Sequence, residues 1–444
     1  MSQHFVIKDF VMQLGLRLVT ITCLLISLSA QAVTLDEVIE IALKIDPTLR
    51  VSKLNSQATE ENIALARAKL LPQVSLQGTS SQLTQTTIQD LPTGGNSSRS
   101  FTGPSVNHQL VMRQAIFRPK DLSSLRYAEL QTEYMQLKYK LDLAELKSRV
   151  SNSWIELIGA QQIALAYQRP LASMKLAAVQ ESTKLDQGDG TKDVMMEADA
   201  QYENAKATYQ QAMETLKAKK IAFEKLTTIS SDQLVNLKYV SRQVKDISEA
   251  EKMMIWENLR NASLELQMAK LQESMQLERV RNAEADHKPT LDLIAAVNLA
   301  QNDATSTQGY QYKNKQLGVQ YIFPLYFGGG VNASVKQAYF SYESSQLESQ
   351  IQHAKIENDF YLSWSQLAGI VKRNNALFHS IVSAKEQLYA AQKGFDLGVK
   401  TLNDIAVSEM NISRREVEFI ILAQEYYKLK IKLKLIEIDS LLND

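Results

Sequence analysis

The sequence predicts an α+β membrane protein in which very long helices adjoin a β-sheet that one chain cannot close alone. Three observations predict it. Glycine (16) and proline (8) are scarce for 444 residues, so turns are few and elements long. The chain also repeats itself. Trp154 and Trp364 lie 210 residues apart (364 − 154), and Phe117/Phe327, Ser124/Ser334, Ala128/Ala338, Leu157/Leu367, Gly159/Gly369, Gly188/Gly398 and Thr191/Thr401 keep that offset without a gap. Finally, the stretch "QLGVQYIFPLYFGGG" is apolar at every second position from Leu317 to Phe327, and then passes through three glycines into a helical pattern.

The chain opens with a leader, read as residues 1–32 with Met12 as an alternative start. Arg17 precedes an apolar run, and Ala30-Gln31-Ala32 is an A-x-A cleavage site. The run is too short for a membrane span. Cys23, the single cysteine, lies inside it behind Thr-Ile-Thr, a poor lipid-anchor signal. The mature chain would begin near Val33 without a cysteine, hence without disulfides or a thiol metal site. Lys+Arg and Asp+Glu are both 49, and this balance argues against nucleic acid as a partner.

The first copy is read as residues 33–230. It holds a helical segment from Leu35 to Leu70 ended by Pro72, because proline breaks a helix and favours extended chain before it. A hairpin follows at about 72–117: a weak strand starting at Val74 and Leu76, the loop "LPTGGNSSRSFTGP", and a return strand from Val106 to Phe117. Long helices occupy about 120–229, running from Lys120 to Leu185 with Pro170 as the one interruption, and from Asp193 to Ile229. Gly188 and Gly190 mark the turn between them. A linker spans 231–248.

The second copy, 249–440, has the same grammar and precedes a tail at 441–444. Its helical segment runs from Glu249 to Asp286 and its hairpin covers about 289–327. In the first strand Leu291, Leu293, Ala295, Val297 and Leu299 share a face. The loop is "QNDATSTQGYQYKNK", and the opening stretch returns. Long helices cover about 331–438, with Gly398 at their turn. Lys428 to Ile438 alternates like a strand but is read as helix, because it continues a long helical run. Roughly 65 residues at 1.5 Å each give helices of about 100 Å.

No apolar run in the mature chain reaches the ~18 residues of a membrane helix. Only a closed β-barrel then satisfies every backbone group in lipid. Four strands are half of the eight that a small barrel needs; two chains would give eight and three twelve, so the sheet must be shared. Long polar loops suit an outer face, and the helices would project into the periplasm. Pro324, Gly328, Gly329 and Gly330 form the strand-to-helix hinge, where glycine permits backbone angles closed to other residues.

No chemistry-bearing constellation appears. His4, His108, His287, His353 and His379 are scattered, without the spacing of a helical metal motif. No nucleophile elbow, phosphate loop or dinucleotide fingerprint is present. The reading is a non-enzyme without cofactor. Trp154 and Trp364, mid-helix at matching positions, read as packing residues. Tyr310, Tyr312, Tyr321, Phe323, Tyr326 and Phe327 read as interfacial girdle aromatics.

Three stretches carry a family resemblance: Pro324 to Gly330, "GFDLGVKTLNDI" from Gly394 to Ile405, and "TLDEVIEIALKIDPTLR" from Thr34 to Arg50. With the duplication and the leader, they resemble the TolC family of outer-membrane export proteins over essentially the whole mature chain. The resemblance implies a homotrimer whose twelve-stranded barrel lies in outer-membrane lipid and continues as a helical tunnel across the periplasm. It also implies docking to a periplasmic adaptor (membrane fusion) protein and an inner-membrane ABC exporter or proton-driven pump. The tunnel mouth would be constricted at the inter-helix turns by Phe395, Lys400 and Asp404 in copy two and Asp193 in copy one. Phe395 stands where the best-known member has tyrosine, Lys400 where it has arginine, and Val407 where it has a second ring aspartate. Asp404 matches the first, so three copies would present a single ring favouring cations. The plain reading of Asp404 and Asp193 is a pair of solvated helix N-caps. Cargo is either a protein, a large adhesin included, from a type I system, or small molecules from an efflux pump. A periplasmic coiled-coil rod without a pore is the rival from another class.

Overall fold

The structure is a computed structural model that describes residues 34–92, 94–230, 248–302 and 310–436. The leader, most of the linker and the C-terminal tail lie outside the described residues. The element order is α1 (Leu35–Ile45), α2 (Pro47–Ala68), β1 (Gln73–Asp90), β2 (Asn96–Phe117), α3 (Pro119–Asp186), α4 (Lys192–Thr227), α5 (Glu249–Ala262), α6 (Leu264–Glu284), β3 (Thr290–Asn302), β4 (Tyr310–Ile322), α7 (Gly330–Asp396) and α8 (Leu402–Ile436). No described helix is long and apolar enough to cross a membrane. Two compact units form. One holds 1–49, 142–263 and 358–444; the other holds 50–141 and 264–357.

The helical segment expected from Leu35 to Leu70 is in fact two helices. α1 starts on a capping box, in which Thr34 accepts from the Glu37 amide and the Glu37 carboxylate accepts from the Thr34 amide. It stops at Asp46, which takes an extended conformation (ψ 119°) because it precedes Pro47. The Asp46 carboxylate then caps α2, accepting from the Leu49 amide at 2.9 Å and from the Thr48 hydroxyl, and it pairs with Arg149 at 2.9 Å. Burial opposes the charge on Asp46, but those donors outweigh it and hold its pKa below the ordinary aspartate range. The segment expected from Glu249 to Asp286 divides likewise at Ser263, which leaves the helical region with ψ 119°.

The second unit holds an antiparallel sheet in the order β1-β2-β3-β4. Strand residues alternate between faces, and the register lines up like with like. One face is mostly apolar, with the rungs Leu76·Leu110·Val297·Lys315, Val74·Met112·Ala295·Leu317, Gln114·Leu293·Val319 and Phe117·Leu291·Tyr321. The other carries Gln77·Gln109·Asn298·Asn314 and Ser75·Val111·Ala296·Gln316. The apolar face is bare: Leu76, Leu317 and Tyr321 are each about three-quarters exposed. β1 is exposed along its whole length, and β1 and β4 each have one unpaired edge.

The hairpins differ from the sequence reading in length. β1 and β2 pair from Gln73↔Arg113 out to Asp90↔Asn96, so the expected Leu91–Pro104 loop shrinks to 91–95. Ser and Thr fill this outer half, where hydroxyl pairs such as Thr84–Thr102 at 2.9 Å bridge the strands. Pro104 lies in this outer half, opposite Gln82 of β1. The second loop also shortens, since β4 begins at Tyr310 rather than Gln316. β4 ends at Ile322, opposite Thr290. Phe323, Leu325 and Phe327, expected in the strand, lie past its end, where β3 offers no partner and Pro324 no donor.

The two strand-to-helix junctions are built differently. After β4, Gly328 (φ 58°) and Gly329 (φ 82°) adopt left-handed conformations, and Gly330 opens α7 after a turn from its amide to the Phe327 carbonyl at 3.0 Å. After β2, Ile116 forms a bulge between Ala115 and Phe117, and Arg118 and Pro119 take the place of glycines. The Arg118 guanidinium grips Asp292 with two bonds of 2.8 and 2.6 Å, and the Asp292 side chain is 4% exposed. Pro119 suits the first helical position. Lys120 adds an ion pair to Asp286 at 2.8 Å.

In the first unit α3 packs against α4 on one side and α8 on the other. Trp154 meets Phe223 edge-on at 6.0 Å. Glu156 joins Lys219 of α4 (2.7 Å) to Lys428 of α8 (2.5 Å). Burial opposes its charge, but the two lysines together hold its pKa below the ordinary range. α3 runs unbroken through Pro170, whose side chain is fully buried; packing there offsets a penalty of about 3 kcal/mol. α7 and α8 share a core of Ile370, Leu377, Ile381, Phe419 and Leu422. Trp364 stacks on Phe360 at 6.1 Å. Both tryptophans are thus packing residues.

Four substitutions test the junctions. Gly329→Val forces a β-branched residue into the left-handed region and should cost about 1–2 kcal/mol. Gly330→Ala, at an ordinary helical position facing open space, should leave the denaturation midpoint unchanged. Arg118→Ala strands the buried Asp292 carboxylate and should cost about 3–5 kcal/mol, lowering the thermal midpoint more than Lys120→Ala, which removes an exposed pair.

Candidate functional site

The turns joining α3 to α4 and α7 to α8 carry the candidate residues, and both end their first helix in the same way. The Gly188 amide donates to Leu185 and the Asp189 amide to Lys184; 210 residues on, Gly398 donates to Phe395 and Val399 to Gly394. This is the Schellman pattern, whose crossing residue needs a positive φ. Gly188 (φ 83°) and Gly398 (φ 73°) supply it. Gly190 serves differently, by allowing close approach: a Cβ there would stand 2.9 Å from the Leu185 nitrogen. Gly394, which sequence reasoning did not single out, does the same under the stem of Lys400, with a Cβ 2.6 Å from its Cγ.

The turns part company where the second helix starts. Asp404 is not the N-cap that its residue type suggests. Thr401 is, and Asp404 sits three residues on, closing a capping box. Its carboxylate accepts from the Thr401 amide at 2.8 Å and hydroxyl at 3.0 Å, while the Asp404 amide donates to the Thr401 hydroxyl at 3.2 Å. Lys400 approaches the same carboxylate at 3.4 Å. The Thr401 amide is the chief cause, with the hydroxyl and Lys400, of an Asp404 pKa below the ordinary range. The aspartate is therefore charged at neutral pH and fixed in orientation, yet the Asp404 side chain stays 39% exposed.

In the first turn Thr191 is the N-cap but makes no side-chain cap bond, and Val194, standing where Asp404 does, has no carboxylate to close a box. Asp193 is the second helical residue, exposed, and not a cap. Among the described residues no hydrogen bond joins it to Lys400 or Asp404. Phe395 lies in the last turn of α7, partly exposed, with its carbonyl used in the turn. The structure thus joins Lys400, Thr401 and Asp404 by hydrogen bonds. The T-x-x-D pattern from Thr401 to Asp404 was a legible capping signal that residue type alone obscured.

The sheet carries the other candidate surface. Tyr312, Tyr321, Phe323, Tyr326 and Phe327 are all substantially exposed; the Tyr310 side chain lies outside the described residues. Tyr326 and Phe327 cluster at the junction below β4, while Tyr312 lies toward the loop end, where its hydroxyl accepts from Asn298 at 3.2 Å.

Comparison with known proteins gives concordant results. The family described as outer membrane efflux protein matches residues 38–228 and again 256–436. The proteases secretion protein PrtF of Dickeya chrysanthemi is 25% identical over 417 residues, covering 90% of this chain and 87% of its own. The outer membrane protein TolC of Escherichia coli K12 is 25% identical over 399 residues, covering 85% and 76%. Among solved structures, the CmeC outer membrane channel of Campylobacter jejuni superposes with a TM-score of 0.72 at 16% identity, over 91% of this chain and 85% of that one. The chain belongs to the outer membrane efflux protein family and is a transport protein of the outer membrane.

Proposed function

We propose that this chain is one protomer of a homotrimeric exit duct, twelve strands closing its barrel and the paired long helices continuing it as a periplasmic tunnel. One observation supports this most: a four-stranded sheet, two-faced and apolar on one side, with an open edge at β1 and another at β4. An even strand count keeps neighbours antiparallel when the β1 of one copy meets the β4 of the next. The apolar run from Leu291 to Leu299 has the nine-residue reach of a membrane strand. The Gln- and Asn-rich face then lines water. A periplasmic rod has no use for such a sheet.

The chain would act passively, receiving cargo from an inner-membrane ABC exporter or proton-driven pump through a periplasmic adaptor. The breadth of the match to PrtF, a proteases secretion protein, favours protein cargo of a type I system over small molecules. In the duct Asp404, Lys400, Phe395 and Asp193 would gather at the tunnel mouth. Three Asp404 carboxylates, each held charged by its cap, would form a ring attracting cations, partly offset by Lys400. The twofold internal repeat would make the helical wall nearly sixfold.

Single-channel recording in planar bilayers tests the duct. Purified protein should give discrete conductance steps with cation preference. Asp404→Asn should lower that preference several-fold while keeping the capping bonds that an amide oxygen can accept. Absence of conductance from an intact trimer would refute the duct, and unchanged selectivity would remove Asp404 from the mouth.

A further inference from the structure

Helix α7 leaves exposed several positions whose counterparts on α3, 210 residues earlier, are covered by α8. On α3, Gly159 is covered by Gln424 of α8: a Cβ there would stand 1.4 Å from the Gln424 Nε2 and 3.0 Å from its Cγ. That amide donates to the Ile155 carbonyl at 3.3 Å. Farther along, the Ser173 hydroxyl donates to Glu409. Beside it Ala406, wholly buried, packs on Met174 and Ala177.

The counterparts on α7 have no such cover. Gly369 is exposed, and a Cβ on it would meet nothing within 4 Å. Ser365 and Ser383, counterparts of Ile155 and Ser173, are exposed as well. On α4 the counterparts of the covering residues are spare. Glu214 corresponds to Gln424, Asp199 to Glu409 and Met196 to Ala406; all are exposed, Met196 by 56%. α4 meets α3 through a different face, that of Ala205, Lys219 and Phe223. The unfilled positions keep the chemistry of the filled ones: a glycine notch opposite a long side chain, and a serine opposite an acid.

We infer that α7 of one copy is covered by α4 of a second copy, in the register of α3 against α8. The partner's Glu214 fills the notch at Gly369, and the partner's Asp199 accepts a hydrogen bond from the Ser383 hydroxyl. The inference rests on the trimeric reading and adds which helices meet, and in what register. Among the differences between this seam and the one within a chain, Glu214 in the place of Gln424 changes a donor. Gln424 donates to a backbone carbonyl; a carboxylate at the same place faces the Ser365 carbonyl with no proton to give. The lost donor makes this seam the weaker of the two.

Cysteine pairs test the register in a Cys23→Ser background. Glu214→Cys with Gly369→Cys, and Asp199→Cys with Ser383→Cys, should link separate chains on oxidation. The pair Ala207→Cys with Gly369→Cys, seven residues and about 10 Å out of register, should not. Native mass spectrometry of the same samples reports oligomeric state independently. A trimer that links only through the shifted pair, or through none, overturns the register and leaves the duct standing; a monomer overturns both. Glu214→Gln restores the missing donor and should raise the temperature at which trimers dissociate in SDS. A lowered temperature would count against the inference.

Discussion

Unpaired backbone along two strand edges is the constraint on which the rest of this structure depends. A polar backbone group without a partner is costly in lipid, and an exposed strand edge in water invites uncontrolled pairing. Here the edges are long, β1 alone running 18 residues, and the face beside them is apolar. Neither a soluble monomer nor a lone membrane protomer satisfies that sheet. Identical copies would, because β1 and β4 run antiparallel and offer complementary edges.

The helices inherit the same logic. Within one chain α3 is flanked on both sides, by α4 through Glu156–Lys219 and by α8 through Glu156–Lys428. Beyond Phe360, where Trp256 of α5 packs on it, α7 is flanked among the described residues by α8. A wall built of such units has a free flank at each end, as the sheet has a free edge at each end. The junctions between sheet and helix must then turn the chain twice per copy. Two solutions appear: left-handed glycines at 328 and 329, and a bidentate ion pair from Arg118 to the buried Asp292. The second trades backbone freedom for a fixed anchor that ties the start of α3 to the neighbouring strand.

Much of this was legible in the sequence. The matching tryptophans, the scarcity of turn residues and the apolar alternation of β3 and β4 carry the element types and the open sheet. The outer half of the first hairpin was not legible, because Ser and Thr there show no apolar alternation and their strand character comes from pairing. Pro104 disguised it further. The break at Asp46 was present as an Asp-Pro step but lay within a strong helical pattern; Ser263 had no comparable signal. At the candidate mouth, residue type suggested an N-cap at Asp404, whereas the cap is Thr401 and the aspartate closes its box. Arg118 and Asp292 are 174 residues apart in sequence, so no local pattern could pair them.

Amide hydrogen exchange on the detergent-purified assembly, resolved by residue, tests the central claim most directly. If copies complete one another's sheet, the amides of β1 and β4 exchange as slowly as those of the interior strands β2 and β3. Alternate residues of β1 and β4 exchanging at the rate of open backbone would contradict it.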